Sequence, residues 1–116
     1  MDKLIRTLTE TFGPSGMESS VRKVIVEEIK DLPVEIAVDP LGNLLVTRKG
    51  RGPRLMLAAH MDEIGVIVTH IDEKGFLRIA GVGGIKPAPL VGQRCIFNGG
   101  VTGTVYHEKI EKLKAL

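Results

Sequence analysis

Residues 55–59, Leu55-Met56-Leu57-Ala58-Ala59, place five apolar side chains in a row without polar alternation, and no other stretch constrains the fold as much. A strand with one wet face alternates in polarity. A run that does not alternate reads as a strand covered on both faces, as in the interior of an α/β sheet, and such a strand also needs neighbours on both edges. The run leads directly into His60-Met61-Asp62-Glu63, so the expected central strand ends in side chains that can ligate, accept and donate. Aromatic residues make up only 3% of the chain and Trp is absent, so Leu, Ile and Val must fill any interior.

Upstream, Leu4, Ile5, Leu8 and Phe12 recur at helical spacing and stop at Gly13-Pro14, which predicts a short amphipathic helix. Ser15-Gly16-Met17-Glu18 has the form of a capping box, followed by Val21, Val24, Ile25, Ile29 and Leu32 on one face; a second helix is expected over about 16–32. The period then changes to two. Val34, Ile36 and Val38 alternate with polar or small residues, and Asp39-Pro40-Leu41-Gly42-Asn43 supplies a turn before Leu44-Leu45-Val46-Thr47, which predicts a hairpin. Beyond the central run, 64–71, 76–80, 93–97 and 101–106 read as short strands separated by turn residues, a pattern that fits a small barrel or meander. From Glu108, Ile110, Leu113 and Leu116 return to helical spacing, with no Gly, Asn or Pro to close the helix, so the segment reads as cut.

The formal charge of +2 comes from 16 basic and 14 acidic residues, with no basic run interleaved with aromatics, so nucleic acid is not an expected partner. The longest apolar run is far short of the ~20 residues that span a bilayer, and Met1-Asp2-Lys3 opens no signal segment; a cytoplasmic protein without membrane contact is expected. The single cysteine, Cys95, sits among apolar neighbours and reads as an inert thiol.

Polar residues at the carboxyl end of a central strand lie where open α/β sheets bind ligands. In extended chain His60 and Asp62 point the same way, because side chains alternate with period two. A neutral imidazole ligates zinc or cobalt, and a carboxylate accepting its other N–H fixes the tautomer and ring direction. The same spacing also accommodates a plainer role, a hydrogen-bonded pair capping the next turn.

Three stretches, Phe12-Gly13-Pro14-Ser15-Gly16, Asp39-Pro40-Leu41-Gly42-Asn43-Leu44 and Ala59-His60-Met61-Asp62-Glu63-Ile64-Gly65, stand in the order and spacing of one peptidase family. With Val82-Gly83-Gly84 and Leu90-Val91-Gly92-Gln93, the chain resembles the glutamyl-aminopeptidase and tetrahedral-aminopeptidase (TET) family of dinuclear metallopeptidases, some members of which are labelled endoglucanases. The resemblance implies an α/β fold: the N-terminal portion of a phosphorylase/hydrolase-like catalytic domain over 1–65, with two helices, a hairpin and a central strand. The start of an inserted, β-rich, PDZ-like dimerisation domain, truncated, would occupy 66–116. It further implies two divalent ions, zinc or cobalt, in the whole enzyme, with His60 as a metal ligand and Asp62 as the catalytic-site residue that orients it. The family's bridging aspartate, glutamate pair, further aspartate and second histidine find no counterpart here, so this chain supplies at most one ligand and is expected to be inactive alone. Peptide substrate and a dimer-based dodecamer are the implied partners.

Other polar positions are assigned less. His70 and His107 read as surface residues, and Glu63, a tempting base, would face away from His60 and Asp62 on a strand. Gly83-Gly84 and Gly99-Gly100 lack the helix and Lys of a phosphate loop and read as turns, and the mixed charges of 108–114 read as a solvated face. Two further functional readings stand beside the hydrolase. One is an oligomerisation module built on the β-rich half. The other is a glycoside hydrolase, which needs two carboxylates flanking a sugar, a pair that the sequence neighbours Asp62 and Glu63 do not provide.

Overall fold

A computed structural model describes residues 1–107, which fall into two compact units, the first Met1–Glu63 and the second beginning at Ile64. The first unit opens with helix α1, Asp2–Glu10, whose first turn carries Asp2 where the helix dipole favours an acid. Thr7, Thr9 and Thr11 return their hydroxyls to carbonyls four residues back, and Thr11 then leaves helical geometry just before Phe12-Gly13-Pro14. Helix α2 covers Ser19–Ile29 rather than 16–32. The shorter start has a local cause. The Met17 N–H closes a turn on the Pro14 carbonyl at 2.8 Å, and Gly16 sits at φ +86°, which a helix cannot continue. The expected capping box does not form: Glu18 Oε1 accepts from the Gly16 N–H at 2.6 Å, whereas the Ser15 N–H donates to the Glu63 carbonyl. The Ser15 hydroxyl is engaged elsewhere as well.

Val21 of α2, 5% exposed, is the buried large apolar side chain among the described residues. It packs on Gly13, where an added Cβ would lie 2.4 Å from Val21 Cγ2. Glycine at 13 is therefore a packing requirement that seats the chain between the two helices against α2.

Strands β1 (Glu35–Val38) and β2 (Leu44–Thr47) form the expected antiparallel hairpin, with Glu35 opposite Thr47 and Val38 opposite Leu44. Asp39 organises its turn. One carboxylate oxygen accepts from the Leu41 and Asn43 N–H groups at 3.0 and 2.8 Å, the other from the Asn43 side-chain amide at 2.8 Å. Gly42 takes φ +88° and donates to the Asp39 carbonyl, and a side chain there would also meet the Arg22 guanidinium at 2.7 Å.

The central strand expected over 55–59 is a correction. These residues pair with no strand among those described, and Leu55, Met56 and Leu57 are 85%, 85% and 89% exposed. A strand is a ladder as much as a conformation, and the apolar run finds no neighbour to complete one.

In the second unit, β3 (Gly65–Ile71) pairs antiparallel with β4 (Leu77–Val82), with a register shift between Val68 and His70. Asp72 repeats the device of Asp39, its Oδ1 accepting from the Lys74 and Phe76 N–H groups at 3.0 and 2.8 Å. A four-residue helix α3, Pro87–Leu90, follows, then the hairpin of β5 (Arg94–Ile96) and β6 (Thr102–Thr104). The sequence did not point to α3, although Pro87 at its first position is a helix-start signal. The expected barrel or meander is also corrected, because the described strands form three separate two-stranded sheets. The helix expected from Glu108 lies outside the described residues. No helix among those described is long and apolar enough to cross a membrane.

Two outcomes follow from these contacts. Gly13→Ala should lower the stability of the first unit by about 1–3 kcal/mol, the usual cost of overpacking, read as a lower midpoint in urea unfolding; an unchanged midpoint would show that Val21 can give way. Hydrogen bonds to the carboxylate, first from the Asn43 side chain and then from its backbone N–H, hold the Asp39 carboxyl below its ordinary value. For a depressed carboxyl, the contribution to hairpin stability is complete above the unfolded pKa of about 3.9 and fades as pH falls through the lowered folded value. Carbon-13 titration of Asp39 should show a midpoint below that of free Asp, and Asn43→Ala should move it upward. A midpoint at or above the free value would contradict the turn geometry.

Candidate functional site

The site is built where two segments some fifty residues apart meet. Pro14 and Glu63 form an isolated parallel bridge, in which the Glu63 N–H donates to the Gly13 carbonyl at 2.9 Å and the Ser15 N–H donates to the Glu63 carbonyl at 3.3 Å. The Gly13 N–H adds a bond to Glu63 Oε1 at 3.3 Å. Glu63 thus spends its backbone and its carboxylate on holding residues 13–15.

That closure brings Ser15 onto Asp62, with the Ser15 hydroxyl donating to Asp62 Oδ2 at 2.5 Å. The other oxygen, Oδ1, lies 3.0 Å from His60 Nδ1, and the Asp62 carbonyl lies 2.9 Å from the same nitrogen. Two acceptors facing Nδ1 require a proton there, so the neutral ring keeps its lone pair on Nε2. The His60 side chain is 85% exposed, against 37% for Asp62, so the free nitrogen is open to solvent and to ligands. The Ser15 hydrogen bond is the largest influence holding the Asp62 carboxyl below its ordinary value, opposed by partial desolvation and assisted by His60. Asp62 is consequently an anion at neutral pH, the form that best accepts an imidazole N–H.

The donor set fits one coordination position of a borderline metal such as zinc or cobalt, with a neutral imidazole of fixed tautomer and a carboxylate behind it. It does not fit a complete centre. Among the described residues, no group of three or more His, Cys, Asp or Glu side chains could hold a metal ion, whereas a catalytic zinc takes three protein ligands. The structure brings His60 and Asp62 together, adds Ser15, and leaves the remaining polar candidates apart. His70 is an exposed residue of β3 opposite Arg78, His107 is half-buried after β6, and the Glu63 carboxylate holds Gly13. Cys95 donates weakly to the Gly103 carbonyl at 3.6 Å, and Gly83, Gly99 and Gly100 take positive φ in turns. Sequence reasoning missed Ser15 because Ser-x-x-Glu before an apolar run has the look of a helix cap. The signal against a cap was Gly16 directly after it.

The family model described as M42 glutamyl aminopeptidase matches residues 42–114. The chain belongs to the M42 family. A protein of Acetivibrio thermocellus that carries a provisional aminopeptidase name is 51% identical over the whole chain, which corresponds to 36% of that relative. Among solved structures, a TET aminopeptidase from a marine-sediment Thaumarchaeota archaeon superposes with a TM-score of 0.85 at 35% identity, covering 95% of this chain and 32% of that one. The TET1 peptidase of Pyrococcus horikoshii, described as assembling into a tetrahedron or a large octahedral shell, gives 0.80 at 34% identity over 95% of this chain and 35% of its own. This M42 chain is a small α/β assembly of helices and antiparallel strands similar to those aminopeptidases, and it spans about a third of their length.

Proposed function

We propose that this chain furnishes the N-terminal third of a metal-dependent M42 aminopeptidase that removes N-terminal residues from peptides in the cytoplasm. The observation that carries the reading is the His60 ring, whose Nδ1 faces the Asp62 carbonyl and carboxylate at 2.9 and 3.0 Å while the side chain is otherwise exposed. His60 is a ligand to one of two divalent ions, zinc or cobalt, and Asp62 is the group that orients it. The other ligands, the bridging group and the general base come from sequence outside this chain, as the family resemblance implies. When bound, such ions supply Lewis acidity toward a peptide carbonyl and acidify water. The chain's own part is to keep a proton on Nδ1, hold the ring in one direction and present Nε2. Residues 1–65 belong to the α/β catalytic domain, and 66–116 open a PDZ-like insertion. The glycosidase reading loses its basis because the two adjacent carboxylates already serve His60 with Ser15, and Gly13.

Self-assembly is part of the proposal, by relation to the shell-forming Pyrococcus horikoshii peptidase.

Residues 1–116 alone, given an aminoacyl p-nitroanilide with zinc or cobalt, should show no turnover above the protein-free rate. Replacing the corresponding third of the Acetivibrio thermocellus relative with this chain should give a metal-loaded aminopeptidase. In that chimera Asp62→Ala should reduce kcat/KM by roughly 10–100-fold, the range for groups that orient a metal ligand, and His60→Ala by more, with loss of bound metal. Turnover by the isolated chain, or a His60→Ala chimera with its metal and activity intact, would overturn the assignment.

A further inference from the structure

We infer that Ser15 is a positioning residue for His60, acting through Asp62: its hydroxyl fixes one carboxylate oxygen so that the other meets the imidazole Nδ1. The inference rests on the metal-ligand reading of His60 and adds a group to it. Three observations carry it. First, the two Asp62 oxygens are divided between two partners, Oδ2 accepting from Ser15 Oγ at 2.5 Å and Oδ1 facing His60 Nδ1 at 3.0 Å. A partly exposed carboxylate held at one oxygen can rotate about its last torsion, which is broad and roughly two-fold; held at both, it has one orientation. Second, Ser15 is itself fixed, because its N–H is bonded to the Glu63 carbonyl, the residue next to the carboxylate it serves. Third, the hydroxyl is not needed to close the loop. Closure already has Glu63 N–H to Gly13, Ser15 N–H to Glu63 and Gly13 N–H to Glu63 Oε1, none of which uses the Ser15 side chain. The hydroxyl is left with one task, the rotamer of Asp62 and through it the tautomer and heading of His60.

The experiment uses the nitrogen-15-labelled chain, stripped of metal with chelator and held at about pH 8. Long-range proton–nitrogen correlation reads the Nδ1–H and Nε2–H tautomers of His60, and the Gly13 and Glu63 amide shifts read the loop. Wild type should be mainly Nδ1–H. Ser15→Ala should reduce the Nδ1–H to Nε2–H ratio by about 2- to 10-fold, the factor that one net hydrogen bond controls, with the Gly13 and Glu63 amides in place. Ser15→Thr, which keeps the hydroxyl at an exposed position, should restore the ratio. An unchanged ratio in Ser15→Ala overturns the inference, and so does collapse of the two loop amides, which would make Ser15 a loop-closing residue. The metal reading is tested separately, in the chimera that carries the remaining ligands, by its metal content with and without His60. Metal lost in the His60→Ala chimera with a Ser15-independent tautomer removes Ser15 alone; a Ser15-dependent tautomer with metal retained in the His60→Ala chimera sustains the positioning role and removes His60 as a ligand.

Discussion

The bridge between Pro14 and Glu63 is the contact on which the first unit's chemistry depends, because its backbone bonds hold the loop after α1 against the segment that carries His60 and Asp62. Each of its backbone bonds contributes about 0.5–1.5 kcal/mol net, and a closure of this length costs entropy that grows only slowly with the number of residues enclosed. The balance is helped by packing. Gly13 lies against Val21, so the backbone that donates and accepts in the bridge is also the backbone seated on α2. Bridge and packing therefore meet at Gly13, next to the residues that place Ser15 on Asp62.

Downstream of that closure, the site is a sequence of hydrogen bonds with a fixed sense. Ser15 donates to Asp62, Asp62 accepts from His60, and His60 is left with one open nitrogen. Exposure separates the members in a useful way. The carboxylate is the more covered partner and the imidazole the more open one, so orientation is set on the protein side and the lone pair is presented outward. Polar groups arranged the other way round would leave a free carboxylate and a captive ring, which orients nothing.

Much of this was legible in the sequence, and the exceptions share a cause. Changes of period located α1, α2 and the first hairpin, since local amphipathicity and Asp-x-x-Gly turns are decided by near neighbours; Asp39 and Asp72 arrange their turns with the same donors two and four residues ahead. The pairing of His60 with Asp62 was legible for the same reason, being a two-residue spacing. Ser15 was not, because its partner lies 47 residues on and nothing local distinguishes a serine that caps from one that reaches across. The central strand failed in the opposite direction. Residues 55–59 have the composition of a covered strand, and composition records the surroundings a segment is suited to, which among the described residues are not there.

That mismatch bears on how the chain acquires function. Complete burial of a Leu or Met side chain contributes about 1.5–3 kcal/mol, so Leu55, Met56 and Leu57 together hold a hydrophobic stabilisation comparable with the whole stability of a small domain, about 5–15 kcal/mol, and in this structure nearly all of it is unrealised. The same run ends at His60. Strands laid along 55–59 would fix the approach to the imidazole and narrow the solvent around Nε2 in the same step that they bury the apolar side chains. In the proposed enzyme, covering residues 55–59 and completing the ligand set around His60 are then coupled. A lone imidazole gains little affinity by itself; held at the end of an apolar run whose burial is strongly favourable, it is carried into place by the fold.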